Sequence, residues 1–289
     1  MEHGPGGRAV KRRVPVLLFL ATVVTTLGAG AMLAGADPFA DPAALLEGIP
    51  FSASLLLILL AHEFSHYITS RRHGVQTSLP MFIPGPPLAG TFGAIIRIET
   101  PIPDRRALLE IGVSGPLAGF LVALPLAVAG LKLSHVALPA AAAAAQAGGD
   151  AGIGLGNSLL FTLLERLVLG PLPPDASLVL HPVAFAAWIG FFVTAINLLP
   201  VGQLDGGHVL YALAGHRQEG ISRAVVMVLA PLGFLWWGWF LWGAMLLLMG
   251  PRHPPVLAEG SALGSRELVL GGVAAVLLAL TLAPAPFTI

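Results

Sequence analysis

Apolar positions in this chain come in long runs. Six runs have about the length that a helix needs to cross the roughly 30 Å hydrocarbon core of a bilayer: residues 14–36, 51–70, 107–131, 178–199, 221–250 and 267–284. The fifth is 30 residues long and holds Pro231 and "WWGWFLWG". It reads either as one tilted helix or as two short ones in a hairpin, the hairpin being favoured. Residues 155–169 form a weaker run, interrupted by Glu165 and Arg166, and read as an interfacial helix. Residues 76–103 are apolar too, but so rich in proline that a helix is excluded. Within them "GAIIRIE" alternates: Ala94, Ile96 and Ile98 share one face, and Ile95, Arg97 and Glu99 the other. That period of two predicts a strand. Irregular backbone at membrane depth must be buried in protein or line a cavity, so a reentrant or membrane-associated loop is expected there.

The pattern predicts an all-α polytopic membrane protein of about six transmembrane helices, with a short membrane-associated β-hairpin or loop. One intramembrane domain is expected over 1–289. It comprises an N-terminal helix 14–36, a core of about 51–211 and C-terminal helices 221–287. The loop 132–177 is too short and too rich in Ala, Gly and Pro for a separate sensor module.

Composition agrees. Hydrophobic residues make up 56% of the 289 and charged residues only 10%, with a mean hydropathy of +0.84. That is too little charge to cover a water-facing surface. Formal net charge is zero, so no nucleic-acid partner is implied, and the absence of cysteine excludes disulfides, thiolate metal sites and a cysteine nucleophile. Lysines and arginines cluster at 11–13, 71–72, 105–106, 217 and 223, against only Lys132 and Arg166 on the other side. This bias predicts a multi-pass protein with a cytosolic N-terminus and the polar end of the second run in the cytosolic half of the bilayer; a prokaryotic plasma membrane is the expected location. "GRAVKRR", the following apolar run and "AGA" imitate a signal peptide, but 14–33 is long enough to span, so a retained helix is favoured.

The second run carries "HEFSH". His62 and His66, four residues apart, share one helix face, with Glu63 beside them. The HExxH pattern lets two imidazoles bind one metal while the glutamate acts on water. A charge at mid-bilayer costs on the order of 2.5–3.5 kcal/mol, which argues for function over a polar cluster gluing helices. A catalytic zinc needs a third ligand. His73, Glu99, Glu110 and Glu165 lack a matching context; Asp205, in "NLLPVGQLDGGH" at the end of the fourth run, has one. Gly206 and Gly207 are expected to let the backbone approach whatever Asp205 binds.

"HEFSH" and "NLLPVGQLDGG" together resemble the site-2 protease family of intramembrane zinc metalloproteases; the second fits the N-x-x-P-x-x-x-L-D-G pattern in full. "SGPLAG" (114–119) resembles that family's glycine-rich middle helix. "FIPGPP", "GTFGA" and "RHPP" resemble the branch of the chloroplast proteases of ethylene-dependent gravitropism and their prokaryotic relatives. The resemblance implies one Zn(2+) per chain held by His62, His66 and Asp205. It implies a zinc-bound water as nucleophile, Glu63 as general base and transmembrane protein substrates, at an active site that the Lys/Arg bias puts toward the cytosolic side. Asn197 and Pro200 are implied near substrate. An edge strand carrying Gly90 and Gly93 is expected to hold the peptide extended by strand addition; the alternative is a strand closed within its own hairpin.

Two rival readings exist. "GVSG" matches the G-x-S-G of rhomboid serine proteases and would make Ser114 a nucleophile with His181 or His208 as partner. A non-catalytic metal-binding scaffold would keep the ligands. Outside the lipid bilayer and the substrate, a homo-oligomer or a regulatory membrane partner stays open.

Overall fold

The computed structural model describes residues 5–137, 154–173 and 176–288. Helix α1 (Pro5–Leu33) leads through a 3-10 turn at Pro42–Gly48 into α2 (Ile49–Arg72), which ends on Arg71 and Arg72. Two short strands follow, β1 (Met81–Pro84) and β2 (Thr91–Ile95), and then α3 (Arg105–Leu133). Strand β3 (His135–Ala137), strand β4 (Gly154–Leu155), helix α4 (Leu159–Leu169) and strand β5 (Ser177–Val179) form the far end. The chain closes with α5 (Pro182–Asn197), α6 (Asp205–Ala214), α7 (Gln218–Leu232), α8 (Gly238–Met249), α9 (Ser265–Thr281) and strand β6 (Phe287–Thr288).

Helix α3 is the hub, packing against α2, α5, α6 and α9. Asp104 starts it by accepting the Ala107 N–H at 2.8 Å. Pro116 and Pro125 lie inside it, as membrane helices tolerate where neighbours surround the freed carbonyls. Apolar side chains such as Leu17, Leu20, Leu57 and Leu121 face outward, as a lipid-facing surface requires.

Among the described residues, three helical segments are long and apolar enough to cross a membrane: Arg13–Leu33, Pro42–Arg72 and Arg105–Leu133. The expected six spans are therefore met in part. Helix α5 has 16 residues, about 24 Å at 1.5 Å per residue, short of a full hydrocarbon core. The 30-residue apolar run breaks at 233–237 into α7 and α8, which fold back on one another, with Phe234 and Phe240 rings 5.5 Å apart. This hairpin returns the chain to the end of the bundle where α3 begins. The Trp cluster serves two purposes: Trp239 is buried and donates to the Pro284 carbonyl at 2.6 Å, whereas Trp237 is exposed. In the loop 132–177, residues 138–153 lie outside those described. Its described part includes α4, whose Leu159, Leu163 and Leu167 form an exposed stripe, as an interfacial helix would present.

Strands β1 and β2 pair antiparallel with Met81 opposite Ile95 and Phe82 opposite Ala94. An isolated bridge, Thr77 to Ile98, extends the ribbon. The predicted alternation holds: Ile95, Arg97 and Glu99 are exposed, and Ala94, Ile96 and Ile98 are half-buried. The ribbon rests on α1. Phe82 meets Phe19 edge-on at 5.1 Å, and Thr25 Oγ1 donates to the Gly90 carbonyl at 2.6 Å. No third strand joins β2 among the described residues, so its outer edge is open.

Candidate metal centre

Helix α2 presents His62 and His66 one turn apart toward α3. Two imidazoles need room, and α3 supplies it with glycine. A Cβ on Gly115 would overlap the His66 ring, lying 2.6 Å from its Cε1; one on Gly119 would lie 3.3 Å from His62 Nδ1. The glycines recur at the same four-residue spacing as the histidines, so two knobs on one helix enter two holes on its antiparallel neighbour. Gly112, one turn before Gly115, does the same for α6: a Cβ there would stand 2.8 Å from His208 Cβ and 3.0 Å from the Asp205 carbonyl oxygen.

Asp205 opens α6, where a carboxylate meets the positive end of the helix dipole. The turn before it is fixed by packing. Cβ atoms on Gly206 and Gly207 would stand 2.7 Å from the carbonyl oxygens of Leu199 and Val201, respectively. These glycines thus press α6 against the 198–202 turn, not against the ligand of Asp205 as the sequence suggested. Close packing of two backbone segments demanded them.

The result is a convergence. Asp205 Oδ2 lies 3.2 Å from His62 Nε2 and 3.3 Å from His66 Nε2, and the two nitrogens lie 3.1 Å apart. Tetrahedral zinc with nitrogen and oxygen ligands at 2.0–2.2 Å spaces its ligand atoms about 3.3 Å apart, so the triangle fits. The donor chemistry fits as well. His66 Nδ1 lies 2.9 Å from the Ile111 carbonyl oxygen. A carbonyl only accepts, so Nδ1 carries the proton and Nε2 offers a lone pair, as an outer hydrogen bond does for metal-ligating histidines. That lone pair faces a carboxylate oxygen, an opposition a cation resolves. Among the described residues, these three are the one such group of possible metal ligands.

Glu63 is buried beside the triangle, and no protein group among the described residues hydrogen-bonds its carboxylate. Asn197 ends α5 with its side-chain nitrogen 3.2 Å from His62 Nε2. Pro200 stands apart: its carbonyl accepts from Ser222 Oγ at 2.8 Å, tying the 198–204 turn to α7. Gly90 is pressed on α1, where a Cβ would lie 2.5 Å from Thr26 Cα, while Gly93, with φ +100°, has open space before it. Ser114 donates to the same Ile111 carbonyl at 2.8 Å and has no histidine partner among the described residues. Of its two candidate partners, His181 caps α5 and His208 bonds His253. His73 is engaged with Glu110 at 2.9 Å.

Sequence reasoning named the three residues that converge here. It missed the carbonyl of Ile111, which has no side-chain signature. It read "SGPLAG" as a surface for close helix approach without seeing that Gly115 and Gly119 shape the site; the matched spacing of glycines and histidines was the available signal.

The sequence pattern of peptidase family M50 matches residues 50–236, a stretch that contains His62, Glu63, His66 and Asp205. EGY1 of Arabidopsis thaliana, named a probable zinc metalloprotease, chloroplastic, is 34% identical over 262 residues, covering 86% of this chain and 44% of that protein. EGY1 of Oryza sativa subsp. japonica is 31% identical, covering 94% and 50%. EGY2 of Arabidopsis thaliana is 29% identical, covering 84% and 43%. The chain thus spans about half the length of these curated relatives. No solved structure matches. Because the family pattern covers most of the chain and encloses the whole ligand triangle, the chain belongs to peptidase family M50, the site-2 protease family of polytopic membrane zinc metalloproteases.

Proposed function

We propose that this chain is an intramembrane endopeptidase that hydrolyses peptide bonds in or near transmembrane segments of other proteins. One observation carries the reading: His62, Glu63 and His66 lie buried on an apolar, membrane-length helix, and Asp205 from α6 meets the two histidines there to complete a triangle of possible metal ligands. His62, His66 and Asp205 hold the zinc. Bound there, zinc supplies a Lewis acid that acidifies water towards a pKa of about 7 and polarises a carbonyl. Glu63 takes a proton from the attacking water as its oxygen bonds to the peptide carbon. The carboxyl group then returns that proton to the leaving nitrogen as the C–N bond breaks. Asn197 directs its amide N–H at the substrate carbonyl oxygen, where negative charge develops.

A helical peptide shields its carbonyl carbons, so the substrate must be extended. The open edge of β2 supports strand addition. Of the glycines, Gly93 leaves room for a peptide backbone at that edge and Gly90 secures the ribbon on α1. Pro200 acts by shaping the turn before Asp205. The residues that would hold the metal lie toward the end of the bundle that carries Arg71, Arg72, Arg105 and Arg106, the side that keeps positive charge. Relatives named chloroplastic lend no support to a prokaryotic plasma membrane, so the orientation proposed is relative to the basic side alone.

The test is cleavage of a transmembrane test substrate by purified protein in detergent or liposomes, with Glu63→Gln as comparison. Wild type should cut and the variant should not, while both bind zinc. Equal behaviour in cleavage would leave a non-catalytic metal-binding scaffold as the better description.

A further inference from the structure

"RHPP" lies outside both the metal triangle and the stretch that the family pattern covers. It belongs to the strap 250–264 between α8 and α9. This strap is built into the body. The Pro251 carbonyl accepts from Gln218 Nε2 at 3.0 Å. The Leu257 and Ala258 N–H groups donate to the carbonyls of Ile102 and Pro103 at 3.1 and 2.9 Å, and Ala258 bridges Asp104 in parallel. Val256 is buried in one cluster with Leu108 and Val209. The strap therefore crosses the outer face of α6 and pairs with the segment joining the β-ribbon to α3.

His253 sits where the strap meets α6. Its Nδ1 lies 2.5 Å from the Pro254 carbonyl oxygen. That oxygen only accepts, so Nδ1 carries the proton and neutral His253 has a bare Nε2. His208 Nδ1 lies 2.7 Å from that Nε2 and must therefore donate to it. Tyr211 holds the acceptor ring in place: its own ring lies 4.7 Å away at a 30° tilt, and its hydroxyl donates to Glu259 of the strap at 2.9 Å. His208 is one helical turn beyond Asp205, and both abut Gly112 of α3. The first turn of α6 is thus gripped between α3 and the strap.

We propose that His253 is a positioning residue for the metal centre: by accepting the His208 Nδ1–H it fixes the rotation of α6 about its axis, and with it the aim of the Asp205 carboxylate. The inference rests on the metal reading above. A side-chain tip roughly 5–6 Å from a helix axis moves about 1 Å for each 10° of rotation. Metal–ligand distances tolerate about 0.2 Å, so a small loss of rotational restraint reaches the zinc. His253 itself touches neither metal nor substrate.

The experiment is zinc affinity of the purified full chain, measured by chelator competition without substrate. His253→Phe keeps a ring against Tyr211 and removes the acceptor; His253→Gln replaces the ring and returns an acceptor oxygen. We expect His253→Phe to weaken zinc binding about 10-fold, the low end of what losing a partner bonded directly to a ligand costs, since His253 acts one residue further out, and His253→Gln to restore wild-type affinity. A His253→Phe protein that binds zinc like wild type overturns the proposal, as does a His253→Gln protein no better than His253→Phe. His62→Ala is the control: if it binds zinc as tightly as wild type, the metal reading falls first and this one with it.

Discussion

Gly115→Ala tests how the histidines are housed. The new methyl carbon would lie 2.6 Å from His66 Cε1 and overlap the ring's coordinating edge. Carbon atoms in contact sit about 3.5–4.0 Å apart, so clearing that one atom moves the imidazole by about 1 Å. The ring cannot simply swing aside, because Nδ1 is tied to the Ile111 carbonyl and α2 packs along α3. A shift of that size is several times the roughly 0.2 Å a metal site tolerates. Gly119→Ala adds the same methyl against His62, but at 3.3 Å from Nδ1, where a few tenths of an ångström relieve the contact. The two variants carry the same chemical change one helical turn apart, so they separate ligand displacement from a general loss of helix packing. The assay is zinc per chain after purification, with cleavage of a transmembrane test substrate alongside. Gly115→Ala should fall from one zinc toward none and lose cleavage about 100-fold or more; Gly119→Ala should keep its zinc and most of its activity. Equal zinc content in both variants, or a larger loss in Gly119→Ala, would refute the socket argument.

Glu63→Gln should lower kcat about 10²–10⁴-fold, the usual contribution of a general base, with zinc content unchanged by metal analysis. Asn197→Ala should lower kcat by about 10²–10³ through loss of a donor to the developing oxyanion, and a chelator-competition assay should show zinc affinity little changed. Stripping the metal should abolish cleavage and lower the thermal unfolding midpoint, since zinc binds only the folded triangle; zinc should restore both, and magnesium, which prefers octahedral oxygen ligands, should restore neither. Gly90→Ala places a methyl 2.5 Å from Thr26 Cα and should destabilise the fold by about 1–3 kcal/mol, read by thermal unfolding, with zinc content intact. Gly93→Pro should raise KM for the test substrate and leave zinc binding unchanged; an unaltered KM would discount the β2 edge.

The convergence of the three candidate ligands was legible because their residue types carry the signal. His62 and His66 share a helix face by spacing alone, and Asp205 stood out as an acid at the end of an apolar run. The strand alternation of 94–99 also survived, since a period of two follows from backbone pleating. Span counting fared less well. Hydropathy registers apolar length, but α5 is 16 residues long because Pro182 starts it and the Asn197 turn ends it. The run 221–250 hides a break at 233–237 because every residue around it is apolar. Gly206, Gly207 and Gly90 were assigned to ligand or substrate, yet each faces other backbone. A glycine announces a close approach without saying what approaches. The carbonyl of Ile111 and the His208–His253 pair needed the tertiary structure, for they join residues 45 apart in the chain through atoms the sequence does not distinguish.

Helix α1 precedes the segment that the family pattern matches, yet it carries the β-ribbon through Thr25 and Phe19. The candidate metal ligands and the ribbon proposed to receive a peptide therefore share the matched stretch, while the support beneath that ribbon comes from a segment outside it. On the proposed function, substitutions at Thr25 or Phe19 should alter how the ribbon is held and leave the three candidate ligands in place. If the β2 edge receives the peptide as proposed, part of the selectivity should be sought in α1, a helix that a comparison confined to residues 50–236 leaves out.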